Sequence, residues 1–150
     1  MSMRTFSRRI RAGREAVWNA MIGDETYRLW TAPFSEGSHF AGSWNEGSTI
    51  HFLAPNGEGM VSVVETSRLH EFISLRHIGW IKDGVVDTDS ESVRAWAPSY
   101  ENYAFADAGD GVTDVIVTVD EFPGMEDFMD EAWPRALDVL ARLCETPSGT

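Results

Sequence analysis

Asp87, Asp89 and Glu91 alternate as D-x-D-x-E, the spacing with which a calcium-binding loop begins. Such a loop also needs a glycine at its sixth position and a bidentate Glu at its twelfth. Counted from Asp87, those positions are Ser92 and Pro98; counted from Asp83, the twelfth is Arg94. Neither register completes a site, and a solvated acidic loop is the better reading. The histidines are His39, His51, His70 and His77. Strand alternation turns His77 inward, with Ile73 and Leu75, while Arg76 faces solvent; Ile50 and Phe52 turn inward, so His51 faces out. No set of three or four ligands converges as zinc requires. His77 could act as a general base, but a buried histidine bonded to a neighbour is the commoner arrangement. Cys144 falls on the apolar side of a helical segment, with no base beside it to activate the thiol. No G-x-S-x-G, P-loop or H-E-x-x-H occurs. No catalytic residue, no metal and no cofactor is assigned from these patterns.

The segments that must position these groups come next. The chain has 150 residues, of which 43% are hydrophobic and 24% charged, the composition of one ordinary globular domain over 1–150. Disorder is expected only at the ends, "MSMR" and "TPSGT". The net charge is −12, and residues 83–131 hold fourteen acids against the one base Arg94. That face excludes nucleic acid and anionic membranes as partners, since both select basic surface. Five arginines stand in the first fourteen residues. A transit peptide shares that composition, but Phe6, Ile10 and Ala12 alternate here, so a strand with arginines on its solvent face is preferred. One cysteine rules out a disulfide within the chain and fits a cytoplasmic location. No apolar run is long enough to span a bilayer.

Residues 3–12 read as a strand. "REAVWNAMIGDETYRLW" reads as two short helices, broken at Gly23 and ended by Pro33, with Asp24 placed to cap the second. A run of strands follows at hairpin spacing, joined by turns such as "NEG", "PNG" and "AGDG". Val115, Val117 and Val119 share one face of the last strand, and Asp114 and Asp120 the other. From Met125, apolar residues recur at i, i+3, i+4 and i+7 through Phe128, Met129, Trp133, Leu137, Leu140 and Cys144, the stripe of a long amphipathic helix. Pro134 should kink it. The fold class is α+β: a curved antiparallel sheet of about six or seven strands wrapped around one long C-terminal helix.

Six stretches, in this order, resemble the START-like (SRPBCC) superfamily and its helix-grip fold. They are "AGREAVWNAMI", W-x-x-G-S-x-I-x-F from Trp44 to Phe52, Gly59–Met60, H-x-G-x-I-K-D-G from His77 to Gly84, "ENY" at Glu101 to Tyr103, and W-P-x-A-L from Trp133 to Leu137. Within it the chain is similar to the branch of heat-shock-90 ATPase activator homologues and calicheamicin-resistance-type proteins. The resemblance implies a hydrophobic cavity between sheet and helix, used in many members to bind lipids, polyketides or other apolar molecules.

Strand phase then nominates the ligand-binding residues: Trp44, Phe52, Met60, Ser62, His77, Tyr103, Phe105 and Val117 from the sheet, and Phe128, Met129 and Trp133 from the helix. Trp30 and Phe34 are placed at the mouth. The aromatics of the acidic stretch, Trp80, Trp96, Tyr100 and Tyr103, fit either a cover over the cavity or a plug at the open end of the sheet. All these residues could equally pack as plain core. Three functions remain open: a non-catalytic binder of a small apolar molecule, a chaperone-associated or self-associating interaction domain, and a cyclase or hydrolase using His77, Tyr103 and Glu101.

Overall fold

The structure, a computed structural model, describes residues 3–121 and 124–145. Strand β1 (Met3–Ile10) leads into two helices, α1 (Arg14–Ile22) and α2 (Asp24–Trp30). Then come β2 (His39–Gly42), β3 (Thr49–Leu53), β4 (Gly59–Arg68), β5 (Phe72–Lys82) and a short β6 (Val85–Asp87). A one-turn helix, α3 (Glu91–Arg94), precedes β7 (Ser99–Gly109), β8 (Val112–Asp120) and the long α4 (Glu126–Glu145). The strands form one antiparallel sheet in the order β1-β8-β7-β5-β4-β3-β2, with β6 hairpinned onto β5. This is the expected helix-grip α+β architecture, with one strand beyond the seven that the sequence pattern predicts.

The added strand lies in the acidic stretch. Asp83 and Gly84 both adopt positive φ, 52° and 75°, the pair of left-handed residues that a two-residue hairpin of type I′ demands. An Asp-Gly pair is a strong hairpin signal, yet only three residues of β6 pair with β5, too few to show an alternation. Ser90 then caps α3 by accepting from the Val93 N–H at 3.3 Å. Of the two ends expected to be disordered, residues 1–2 and 146–150 lie outside the described residues, whereas Met3 and Arg4 are in β1 opposite Asp120 and Val119.

The arginines of β1 correct a second expectation. Arg4 and Arg8 share the phase of Phe6 and Ile10, so they lie on the helix side of the sheet, not its solvent face. Arg4 reaches Asp130 at 3.0 Å and Arg8 reaches Asp138 at 3.1 Å, one helical flank of α4. Only the odd positions turn outward, where Arg9 forms a two-pronged contact with Asp114 at 2.8 and 3.0 Å. The arginines therefore fasten the edge strand to the helix above it.

Helix α4 runs through Pro134 without interruption. It buries Ala132, Trp133, Ala136, Leu137, Leu140 and Ala141, while Met125 and Phe128, at the start of the same stripe, stay 44% and 43% exposed. The helix packs chiefly on β1, α1 and α2. The centre of the sheet near β4, β5 and β7 is thus left partly uncovered at the N-terminal end of α4. Helix α2 begins at Asp24 itself, with Gly23 as the capping residue and no side-chain cap.

Candidate functional site

A chamber of about 230 Å³ occupies that gap. Helix α2 and the turn after it supply Tyr27, Trp30, Thr31, Phe34 and Ser38; β3 and β4 supply Phe52 and Met60. His77 comes from β5, Glu101 and Tyr103 from β7, and Met129 and Trp133 from α4. The rings touch one another: Phe34 and Trp133 meet edge to face at 4.8 Å between centroids, and Trp30 lies 6.2 Å from Trp133. Trp30 is a wall, not a mouth. It is 1% exposed, and its indole N–H donates to the Met21 carbonyl at 3.1 Å.

A second hollow, of about 590 Å³, adjoins the first. Phe34, Met60 and Met129 line both, so these three side chains form the partition. The rest of its lining is Gly59, Trp80, Ala95, Trp96, Met125 and Phe128. Trp80 and Trp96 come from the acidic stretch, and their rings lie 5.5 Å apart, tilted by 42°. Trp80 and Trp96 therefore form a wall of the outer hollow. The Asp87 carboxylate accepts the backbone N–H groups of Asp89 and Ser90 at 3.2 and 3.0 Å. The Ser90 hydroxyl, then the Ser90 backbone N–H, hold the Asp87 carboxyl below the usual carboxylate range. D-x-D-x-E here closes a turn that leads into α3. Among the described residues no three His, Cys, Asp or Glu side chains gather as a metal site would need.

One polar chain crosses the floor of the inner chamber. A register shift between Val61 and Ser62 sets Ser62 directly across from His77, a bulge that re-aims a side chain. Ser62 Oγ lies 2.5 Å from His77 Nδ1. His77 Nε2 lies 3.2 Å from Glu101 Oε1, and the Tyr103 hydroxyl donates to Glu101 Oε2. Each polar hydrogen of this chain finds an acceptor when the Ser62 hydroxyl donates to Nδ1 and the Nε2–H donates to Glu101. Ser62 is fully buried behind the ring and cannot meet a ligand; it fixes the imidazole. Glu101, with its side chain 22% exposed, is the charged group that faces the chamber. Burial pushes the Tyr27 phenol far up, and the negative charge of Glu101 adds to the shift, so this phenol keeps its proton. The indole N–H of Trp133 is buried and has no hydrogen-bond partner among the described residues.

The nominated residues divide by place. Trp30, Phe34, Phe52, Met60, His77, Tyr103, Met129 and Trp133 line the inner chamber; Trp96 and Phe128 line the outer hollow. Four line neither. Trp44 stands behind Phe52, at 5.6 Å between rings. Ser62 stands behind His77. Phe105 is covered by Trp18 of α1, at 5.3 Å, and Val117 is fully buried core. Phase assigns a residue to a face but not to a place along the strand, and α1 fills the far end. Pattern reading missed Tyr27, Thr31 and Ser38. Tyr27 stands three residues before Trp30, and Thr31 four after Tyr27, the helical spacing that could have found them.

No family model and no curated protein matches the chain by sequence. Solved structures do match in shape. Aha1 from Colwellia psychrerythraea, solved as a dimer, superposes with a TM-score of 0.71 at 19% identity, over 99% of this chain and 100% of that one. DynU16, a protein of the dynemicin biosynthetic locus, gives 0.69 at 16% identity over 97% of this chain and 48% of that one. CalU16 from Micromonospora echinospora gives 0.63 at 15% identity, over 98% and 77%. At such identities the likeness is one of fold. These three are SRPBCC proteins of the Aha1-like kind, and the chain has their helix-grip fold, as the resemblance implied.

Proposed function

We propose that this protein binds a small hydrophobic molecule, without transforming it, in the chamber between sheet and C-terminal helix. The observation that carries the reading is the pair of adjoining hollows, floored by one polar chain and otherwise walled by aromatic and thioether side chains. Were that space of about 230 Å³ sealed and dry, it would cost on the order of 5 kcal/mol at about 24 cal/mol per Å³, comparable with the whole net stability of a domain, about 5–15 kcal/mol. It opens instead onto the outer hollow, which supports a reading in which a guest enters and fills it. Binding of apolar molecules also fits what the fold is used for in SRPBCC proteins, and residues 1–150 would act as one domain. The single thiol fits a reducing compartment such as the cytosol.

A thermal-shift panel of fatty acids, sterols, flavonoids and polyketides tests the reading. A ligand at 100 times its Kd adds about 2.7 kcal/mol of stability. Trp133→Ala removes a wall of the inner chamber and should abolish the shift. A panel with no stabilising compound counts against binding.

A second reading has its own observation. Trp80, Val85, Met125 and Phe128 are 36–64% exposed; Trp80 and Val85 share one face of the β5–β6 hairpin, and Trp80, Met125 and Phe128 line the outer hollow, a patch that would suit a protein partner, a chaperone or a second copy. Aha1, the Hsp90 ATPase activator homologue, points the same way. Pull-down and sedimentation of Val85→Glu against the unmodified chain separates this reading from the first. The enzymatic alternative has Glu101, His77 and Tyr103 as its acid–base candidates in the chamber, and Ser62 is held behind His77.

A further inference from the structure

We propose that the occupant of the inner chamber enters with a positively charged nitrogen, an alkyl- or aryl-ammonium group, set against Glu101. The inference rests on the binding reading above and specifies its ligand. Six aromatic side chains line the chamber: Tyr27, Trp30, Phe34, Phe52, Tyr103 and Trp133. Ring faces attract a cation, most strongly where water is scarce. The carboxylate of Glu101 stands among them. Among the described residues, its ion-pair contact is with His77 at 3.2 Å, and no Lys or Arg lines the chamber. Tyr103 and His77 occupy one lone pair on each oxygen, and a carboxylate can accept about four hydrogen bonds. Capacity for a ligand N–H therefore remains.

A carboxylate and a wall of rings select the same charge by two independent mechanisms. The rest of the molecule does not oppose it: a net charge of −12 draws cations and repels anions on approach. The apolar remainder of the ligand has a route outward. Met60 and Met129 form most of the partition to the outer hollow, and unbranched thioether side chains rearrange readily around a guest. The head thus lies at Glu101 and the tail passes toward Trp80 and Trp96. One group favours a different ligand: the unpartnered indole N–H of Trp133 seeks an acceptor. It is a neutral donor, and a charge-assisted contact is roughly twice as strong.

Calorimetric titration of the intact chain with octylammonium, octanol and octanoate at neutral pH tests the proposal. The three probes share a tail and differ in the head. Octylammonium should bind at least about tenfold tighter than octanol, from ion pairing and ring faces together, and octanoate should bind most weakly. In Glu101→Gln the advantage of the amine over the alcohol should fall to about the cation–π share, severalfold or less, while the affinity for octanol holds. If that variant does not fold, the ranking on the unmodified chain decides alone. Octanol or octanoate binding as tightly as the amine overturns the charged head group and leaves apolar binding standing. Silence with all three also overturns it, and the apolar panel then decides whether the chamber binds anything.

Discussion

Ser62 holds the site together without touching it. Its hydroxyl fixes the His77 ring, and the ring fixes Glu101. Ser62→Ala leaves Nδ1 of a 3%-exposed histidine without its partner, at a cost of about 1–3 kcal/mol. Urea denaturation should show that loss with an unchanged m-value. Cys144 presents the opposite case, a thiol with nothing to do. Burial, then the charge of Glu145, pushes it up to about 11 from 9.0. A raised pKa in the folded state means that the thiol's contribution to stability is intact below pH 9 and is lost as pH rises toward 11. Iodoacetamide at pH 8 should therefore modify the folded chain far more slowly than the same chain in urea. Equal rates would show an accessible thiolate. At this scale the sequence was partly legible. His77 and Tyr103 are inward by alternation alone. Glu101 has the same phase, two residues before Tyr103, and was legible only as an acid–base candidate; its bond to His77 crosses from β7 to β5 and depends on a strand register that the pattern does not give.

At the scale of elements, the β5–β6 hairpin is what brings Trp80 and Trp96 to the outer hollow. It depends on Gly79. A Cβ there would sit well inside contact distance of the Asp87 carbonyl oxygen and 2.9 Å from the Thr88 side chain. Backbone cannot yield as a side chain tip can. Gly79→Ala should therefore unpair β6 from β5 and separate the two indoles. The amide protons of β6 should then exchange faster while those of β7 and β8 keep their protection. An unchanged exchange pattern would mean that the hairpin tolerates the methyl group. The long strands and α4 were legible because each repeats its period many times. The hairpin was not, since three residues give no period and the acids around them pointed to a loop. The β1 arginines misled for another reason: Arg4 and Arg8 share the inward phase, and only the presence of Asp130 and Asp138 on the helix makes that tolerable.

For the molecule as a whole, the fold was readable from the order of its motifs, whereas the position of the chamber was not. The sequence pattern puts aromatic side chains along the full length of the sheet's inner face. The helices decide where they pack and where they leave space: α1 closes one end over Phe105, and α4 exposes its first turn at the other. The central claim is that this space takes a small apolar molecule. Its methionines report on it directly, because Met60 and Met129 stand between the two hollows, Met125 lines the outer one and Met21 is fully buried core. Methyl-labelled methionine NMR, during titration with the apolar panel and the octyl probes, is the most direct measurement. The account predicts that the Met60 and Met129 methyls shift together and saturate with at least one compound, while Met21 stays in place. Methyls of Met60 and Met129 that stay fixed with every compound, or that move no more than Met21, would contradict it.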